Sequence, residues 1–160
     1  MINRKLLGIY FNDHLAGSTA GMEVARRTAG SNKGTGYGAF LRKLAKEIEQ
    51  DRDSLKEIMS RLEFREDIPK KVGAWAFEKV GRLKPNGQLT GYSPLSRVVE
   101  LEGLALGVTG KLVLWKTLRQ LVEEEPRLDA AELDRLRERA ERQLVEAEEH
   151  RLRATREAFH

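Results

Sequence analysis

Four side chains stand where helix periodicity calls for apolar residues or borders on such positions: His14, Glu47, Asp51 and Glu102. Histidines and carboxylates carried on facing helices are the donors with which helical bundles hold iron or manganese. Leu7, Tyr10, His14, Gly17, Gly21 and Val24 follow the three-four spacing of one helix face, with a histidine and two glycines in place of leucines. Leu41, Leu44, Ile48, Asp51, Leu55, Ile58 and Leu62 form a seven-residue repeat whose one polar member is Asp51. Glu47, four residues before Asp51, reaches the same side of that helix. Glu100 and Glu102 flank Leu101, so at most one faces inward; Glu102 is taken as the candidate ligand, with His150 as a further donor.

Spacing brings two of these groups to one height. His14 lies sixteen residues before Gly30, and Asp51 fifteen residues after Gly36. The Gly30–Gly36 stretch reads as a loop, and a short loop makes its two helices antiparallel neighbours. At a rise of about 1.5 Å per residue, His14 and Asp51 are therefore expected to meet on the inward seam. Two chemistries fit such a pair. One is a metal or small-ligand site supported by Glu47 and Glu102. The other is a buried hydrogen-bonded pair that only fixes helix register, since a buried acid needs a partner.

A dinuclear site of the Glu-x-x-His type is not spelled out: Gln50 stands three residues after Glu47, and Ala147 three before His150. Lys111, set in the most apolar helix, is either a charge partner for Glu47 or Glu102 or a side chain that snorkels to water. Ser18 and Thr19 follow His14 closely, yet no nucleophile elbow accompanies them. Gly34-Thr35-Gly36 lacks the lysine of a phosphate-binding loop.

The elements that position these residues read as four long helices and one short one. The first runs from about Arg4 to Thr28 and the second from about Tyr37 to Leu62. Asp67 caps a short helix that begins at Pro69, ends near Leu83 and buries Val72, Trp75, Ala76 and Val80. A turn at 84–87 and an irregular connection to Tyr92 follow. Ser93-Pro94 starts the third long helix, which reaches about Glu123 and is apolar over more than half its surface, so it belongs at the centre. Gly103, Gly107 and Gly110 weaken it and imply close approach of another helix. Pro126 breaks the chain, and Asp129 caps a strongly charged last helix with a narrow stripe of Leu133, Leu136, Ala140, Leu144, Ala147 and Ala154. The passage between the second and third long helices is long enough to cross the bundle and leave those two helices parallel. The expectation is one all-α domain over residues 1–160.

Composition narrows the function classes. With 40% hydrophobic and 34% charged residues and only 4 prolines, the chain suits a helix-rich soluble protein, read as cytoplasmic. The absence of cysteine removes disulfides, thiolate metal sites and a cysteine nucleophile. The basic, apolar start is broken too early, at Gly8 and Asn12, for a signal peptide. A net charge of +4 is spread among acids, and only 6% of residues are aromatic, which disfavours a nucleic-acid surface. The glycine-rich helix faces suit a homo-oligomer.

Several stretches together resemble a family of small bacterial proteins grouped with ferritin-like helical bundles. They are Tyr10-Phe11-Asn12-Asp13-His14-Leu15-Ala16-Gly17-Ser18, Glu47-Ile48-Glu49-Gln50-Asp51, Ala74-Trp75 with Glu78-Lys79 and Arg82-Leu83-Lys84, and Leu101-Glu102-Gly103-Leu104 with Gly110-Lys111 and Leu114-Trp115. The resemblance covers about residues 6 to 118. It implies a ferritin-like up-down bundle, with a long crossover between helices 2 and 3 as one form, and no particular activity.

Overall fold

A computed structural model describes residues 1–67 and 91–160. The expected short helix from Pro69 to Leu83, its turn and most of the following connection lie outside the described residues. The rest is helical: α1 (Arg4–Ser31), α2 (Gly38–Arg61), α3 (Pro94–Gln120) and α4 (Ala130–Phe159). No strand occurs among the described residues, and none of these helices is long and apolar enough to cross a membrane.

Each helix begins and ends for local reasons. The Asn3, Ser93 and Asp129 side chains accept hydrogen bonds from the backbone N–H groups of Leu6, Leu95 and Ala131, satisfying donors that the first turn leaves free. Pro94 occupies the first turn of α3, where its missing N–H costs nothing. The first helix runs to Ser31, a turn past the expected end at Thr28, because Asn32 caps it with its side chain, donating to the Thr28 carbonyl at 2.8 Å. Gly38 is demanded by packing: a Cβ there would lie 2.8 Å from the Asn32 carbonyl oxygen.

Contacts between helix ends give the directions. Arg4 donates to the Leu62 carbonyl at 2.7 Å, so the start of α1 lies beside the end of α2. Tyr10 donates to Thr117 at 3.2 Å and Arg97 to Asn32 at 2.6 Å, so α1 and α3 are antiparallel. Arg61 meets Glu132 at 2.5 Å and Lys43 meets Glu146 at 2.9 Å, so α2 and α4 are antiparallel too. Helices α2 and α3 therefore run in the same direction, and the chain leaves α2 at one end of the bundle and enters α3 at the other. Helix α3 packs on both α1 and α4, as its apolar surface requires. Phe11, Leu15, Leu41, Leu44, Leu55, Ile58, Leu101, Trp115, Leu118, Leu133 and Ala140 form the continuous core.

The glycines of α3 are not packed as expected. Built Cβ atoms at Gly103, Gly107 and Gly110 meet nothing within 4 Å, and the same holds for Gly17 and Gly21 on α1. Among the described residues no close-approaching helix explains them; they face open space. Gly103→Ala and Gly107→Ala should each raise stability by up to about 1 kcal/mol, the helix-propensity gain of alanine with no clash to offset it. Gly38→Ala should instead destabilise by about 1–3 kcal/mol, since backbone must move. Urea denaturation midpoints of the three variants check both signs.

Candidate functional site

The site grows from Asp51. Its position in the heptad repeat of α2 turns it inward, where it is only 2% exposed. A carboxylate so buried must be matched by donors. Lys111 of α3 donates to one oxygen and Arg139 of α4 to the other. Gln143 of α4 adds its side-chain N–H to Asp51 at 3.3 Å and to Glu47 at 2.9 Å, while its carbonyl oxygen accepts from Lys111. Arg142 closes the outer end on Glu47 at 2.8 Å. Three helices are thus joined through one polar layer. Lys111 feels burial, which lowers its ammonium below the usual lysine range, and Arg139 acts in the same direction; Asp51 opposes both.

The expected His14–Asp51 pair is not what holds this acid. Both residues line one cavity, but Asp51 takes its hydrogen bonds from Lys111, Arg139 and Gln143. The physical reason is charge. Burial pushes the His14 imidazole below its ordinary pKa, more than neighbouring Asp13 raises it, so a neutral ring competes with an ammonium and a guanidinium. His14 packs edge-on against the Tyr10 ring, 4.5 Å between centroids.

The remaining candidates separate. Glu47 joins the layer through Gln143. Glu102 lies on the exposed side of α3, 3.5 Å from Arg151; of the two acids flanking Leu101, Glu100 is the inward one, 3% exposed. His150 stacks on Phe40 at 3.9 Å, two turns beyond Gln143. Among the described residues no group of three or more His, Asp or Glu side chains is arranged to hold a metal ion. Lys111 is a charge partner and does not snorkel to water, with Asp51 as its acid in place of the expected Glu47 or Glu102.

Beside this layer lies a cavity of about 460 Å³ between α1, α2 and α3. The five open glycines, 17 and 21 on α1 and 103, 107 and 110 on α3, all line it. Ile48, Leu55, Leu104, Val108 and Leu114 supply apolar wall, and Asp13, His14, Ser18, Asp51, Arg52 and Lys111 supply the polar groups. Trp115 also lines it; it is 1% exposed and its indole N–H has no hydrogen-bond acceptor among the described residues. A buried donor without a partner is uncommon and costly, at about 1–3 kcal/mol.

A second polar cluster ties the far end of the bundle. Tyr92 donates to the buried Glu100 at 2.5 Å and accepts from Asn32 at 3.0 Å. Burial and the Glu100 carboxylate hold the Tyr92 hydroxyl well above the ordinary phenol range. Arg97 donates to Asn32 and covers the Tyr37 ring at 4.5 Å, with Arg153 over the same ring at 4.7 Å. Tyr92, Glu100, Asn32 and Arg97 satisfy one another, while the buried Tyr37 hydroxyl has no hydrogen-bond partner among the described residues.

Sequence reasoning missed Arg139, Gln143 and the cavity. Gln143 had a legible signal: Leu133, Leu136, Ala140, Gln143, Ala147 and Ala154 keep the heptad spacing of α4, with one polar member opposite the one polar member of α2. Arg139, one of many arginines on a charged helix, had none.

Two measurements test this layer. Asp51→Asn leaves a buried ammonium without its counter-charge and should cost about 3–5 kcal/mol; Asp51→Asn combined with Lys111→Met should recover a large part of that, as a coupled pair does. For His14 the folded-state pKa is the lower one, so its contribution is complete above pH 6.5 and is lost as pH falls below that value. The urea midpoint should therefore drop between pH 7.5 and 5.5, and His14→Asn should flatten that slope. Compared with known protein families, curated proteins and solved structures, the chain matches none.

Proposed function

We propose that this chain is a ligand-binding helical bundle, ferritin-like in helix order, that takes a small organic molecule into the cavity between α1, α2 and α3. One observation carries the reading. Five glycines that weaken their helices by about 1 kcal/mol each face empty space, and the buried Trp115 N–H beside them lacks an acceptor. A guest with a hydrogen-bond acceptor would fill the space and satisfy the donor. The volume is in the range of ordinary small-molecule sites. The parallel run of α2 and α3 supports the ferritin-like order.

In this reading the polar layer of Asp51, Lys111, Arg139, Gln143 and Glu47 fixes helix register, the role first considered for a His14–Asp51 pair, and its members Asp51 and Lys111 line the site. Iron or manganese on His14, Glu47, Asp51 and Glu102 is the weaker reading, because both Asp51 oxygens already accept from cations and Glu102 turns to Arg151.

The test uses a neutral apolar fluorophore, N-phenyl-1-naphthylamine. It should bind the wild-type protein with a single saturable site. Gly107→Leu places a side chain in the cavity and should weaken that binding at least about tenfold while leaving the protein folded and as stable as before. Unchanged binding to Gly107→Leu, or no saturable binding to the wild type, would sink the proposal.

A further inference from the structure

The cavity is polar at one end and apolar at the other. Tyr10 meets Thr117 and Arg27 meets Glu100 at 4.0 Å, which sets the register of the antiparallel α1 and α3. Gly17 then stands level with Gly110, and Val24 with Gly103. Arg52 donates to Thr19 at 3.1 Å, which places α2 in the same frame. Trp115, His14, Lys111, Ser18, Arg52 and Asp51 occupy the lower stretch; above Asp51 the lining is Gly21, Val24, Ile48, Gly103 and Leu104, all without charge or hydrogen-bonding side chains. From Trp115 to Gly103 the cavity follows twelve residues of α3, about 18 Å. The ligand that matches this is long, thin and amphiphilic.

The sign of its head follows from the charges. Among the described residues Asp51 is the only buried acid lining the cavity, and it is shared between Lys111 and Arg139. Arg52 has, among the described residues, only the exposed Asp53 as its ion-pair partner, at 4.0 Å, and Asp13 at the rim is solvent-exposed. Of the described lining groups that are not solvent-exposed, two cations, Arg52 and Lys111, therefore stand against one carboxylate, Asp51, where the head would lie. Trp115 and the neutral His14 add hydrogen bonding without charge.

Resting on the ligand-cavity reading, we infer that the ligand is an anionic amphiphile: a carboxylate head received by Arg52, Lys111 and the Trp115 indole N–H, with an unbranched aliphatic tail laid between Gly21 and Gly103. The glycines leave a slot for a chain that side chains would close.

Calorimetric titration of the full-length protein with dodecanoate, dodecanol and dodecyltrimethylammonium, each below its micelle concentration, tests head charge at constant tail. Dodecanoate should bind at least about tenfold more tightly than dodecanol, and the cationic chain least. Arg52→Gln should weaken dodecanoate about fivefold or more and leave dodecanol unchanged; this partly exposed side chain can be lost without opening the core, unlike Lys111. In a Trp75→Phe background, dodecanoate should alter the emission of Trp115. Equal binding of dodecanoate and dodecanol, both lost in Gly107→Leu, would overturn the anionic head while leaving the cavity reading intact. Binding of none of the three, with saturable naphthylamine binding retained, would overturn the amphiphile. Failure of every probe would remove both readings. Co-sedimentation with phosphatidylglycerol vesicles in the absence of dodecanoate binding would assign recognition to a membrane surface and would equally overturn the inference.

Discussion

The bundle depends on how a single buried carboxylate is neutralised. Asp51 interrupts an otherwise apolar seam, and an uncompensated charge there would cost more than most cores can absorb. Its two oxygens take donors from two different helices, Lys111 from α3 and Arg139 from α4. Helices α2, α3 and α4 must therefore hold one relative height. Gln143 tightens that condition, because its amide bridges Glu47, Asp51 and Lys111 at once. A slip of one turn along any of the three helices would strand a charge. Apolar seams alone tolerate such slips far more easily, since leucines substitute for one another in packing.

The same requirement shapes the space next to the layer. Lys111 reaches inward from a stretch of α3 that carries Gly107 and Gly110, and the side-chain volume missing there is part of the cavity beside α1. Helix α1 is joined to α3 by Tyr10 and Thr117 below and by Arg27 and Glu100 above, with the glycines between. The two helices are thus fastened at their ends and separated in the middle. The cavity lies between these fastened ends.

Much of the fold is legible in the sequence because its signals are local. Proline and capping residues mark the starts of α3 and α4, and the heptad of α2 identifies Asp51 as buried. What is less legible is partnership. Spacing across the short loop places His14 and Asp51 at a similar height, and the structure does bring both to one cavity. Height does not decide which donor wins, and a cation from a helix distant in sequence outcompetes a neutral imidazole nearby. The choice between Glu100 and Glu102 is a similar case: positions two residues apart on a helix face opposite ways, and Tyr92 and Asn32 settle it from elsewhere in the chain. The α3 glycines mislead for a different reason, since glycine marks missing side-chain volume whether a helix or a cavity occupies it.

That ambiguity about glycine resolves on energy. A helix packed into a glycine face recovers the propensity loss through close contacts, and the glycine then has neighbours where its Cβ would be. Gly38, close against Asn32, shows that condition in this chain. Gly17, Gly21, Gly103, Gly107 and Gly110 show the reverse, five times on one cavity. Nothing among the described residues recovers their cost, which together amounts to about 5 kcal/mol, comparable to the whole stability of a marginal domain. Alanine at these positions would strengthen both helices without steric objection. On the proposed reading a ligand enters that slot, with its polar end beside Arg52, Lys111 and Asp51.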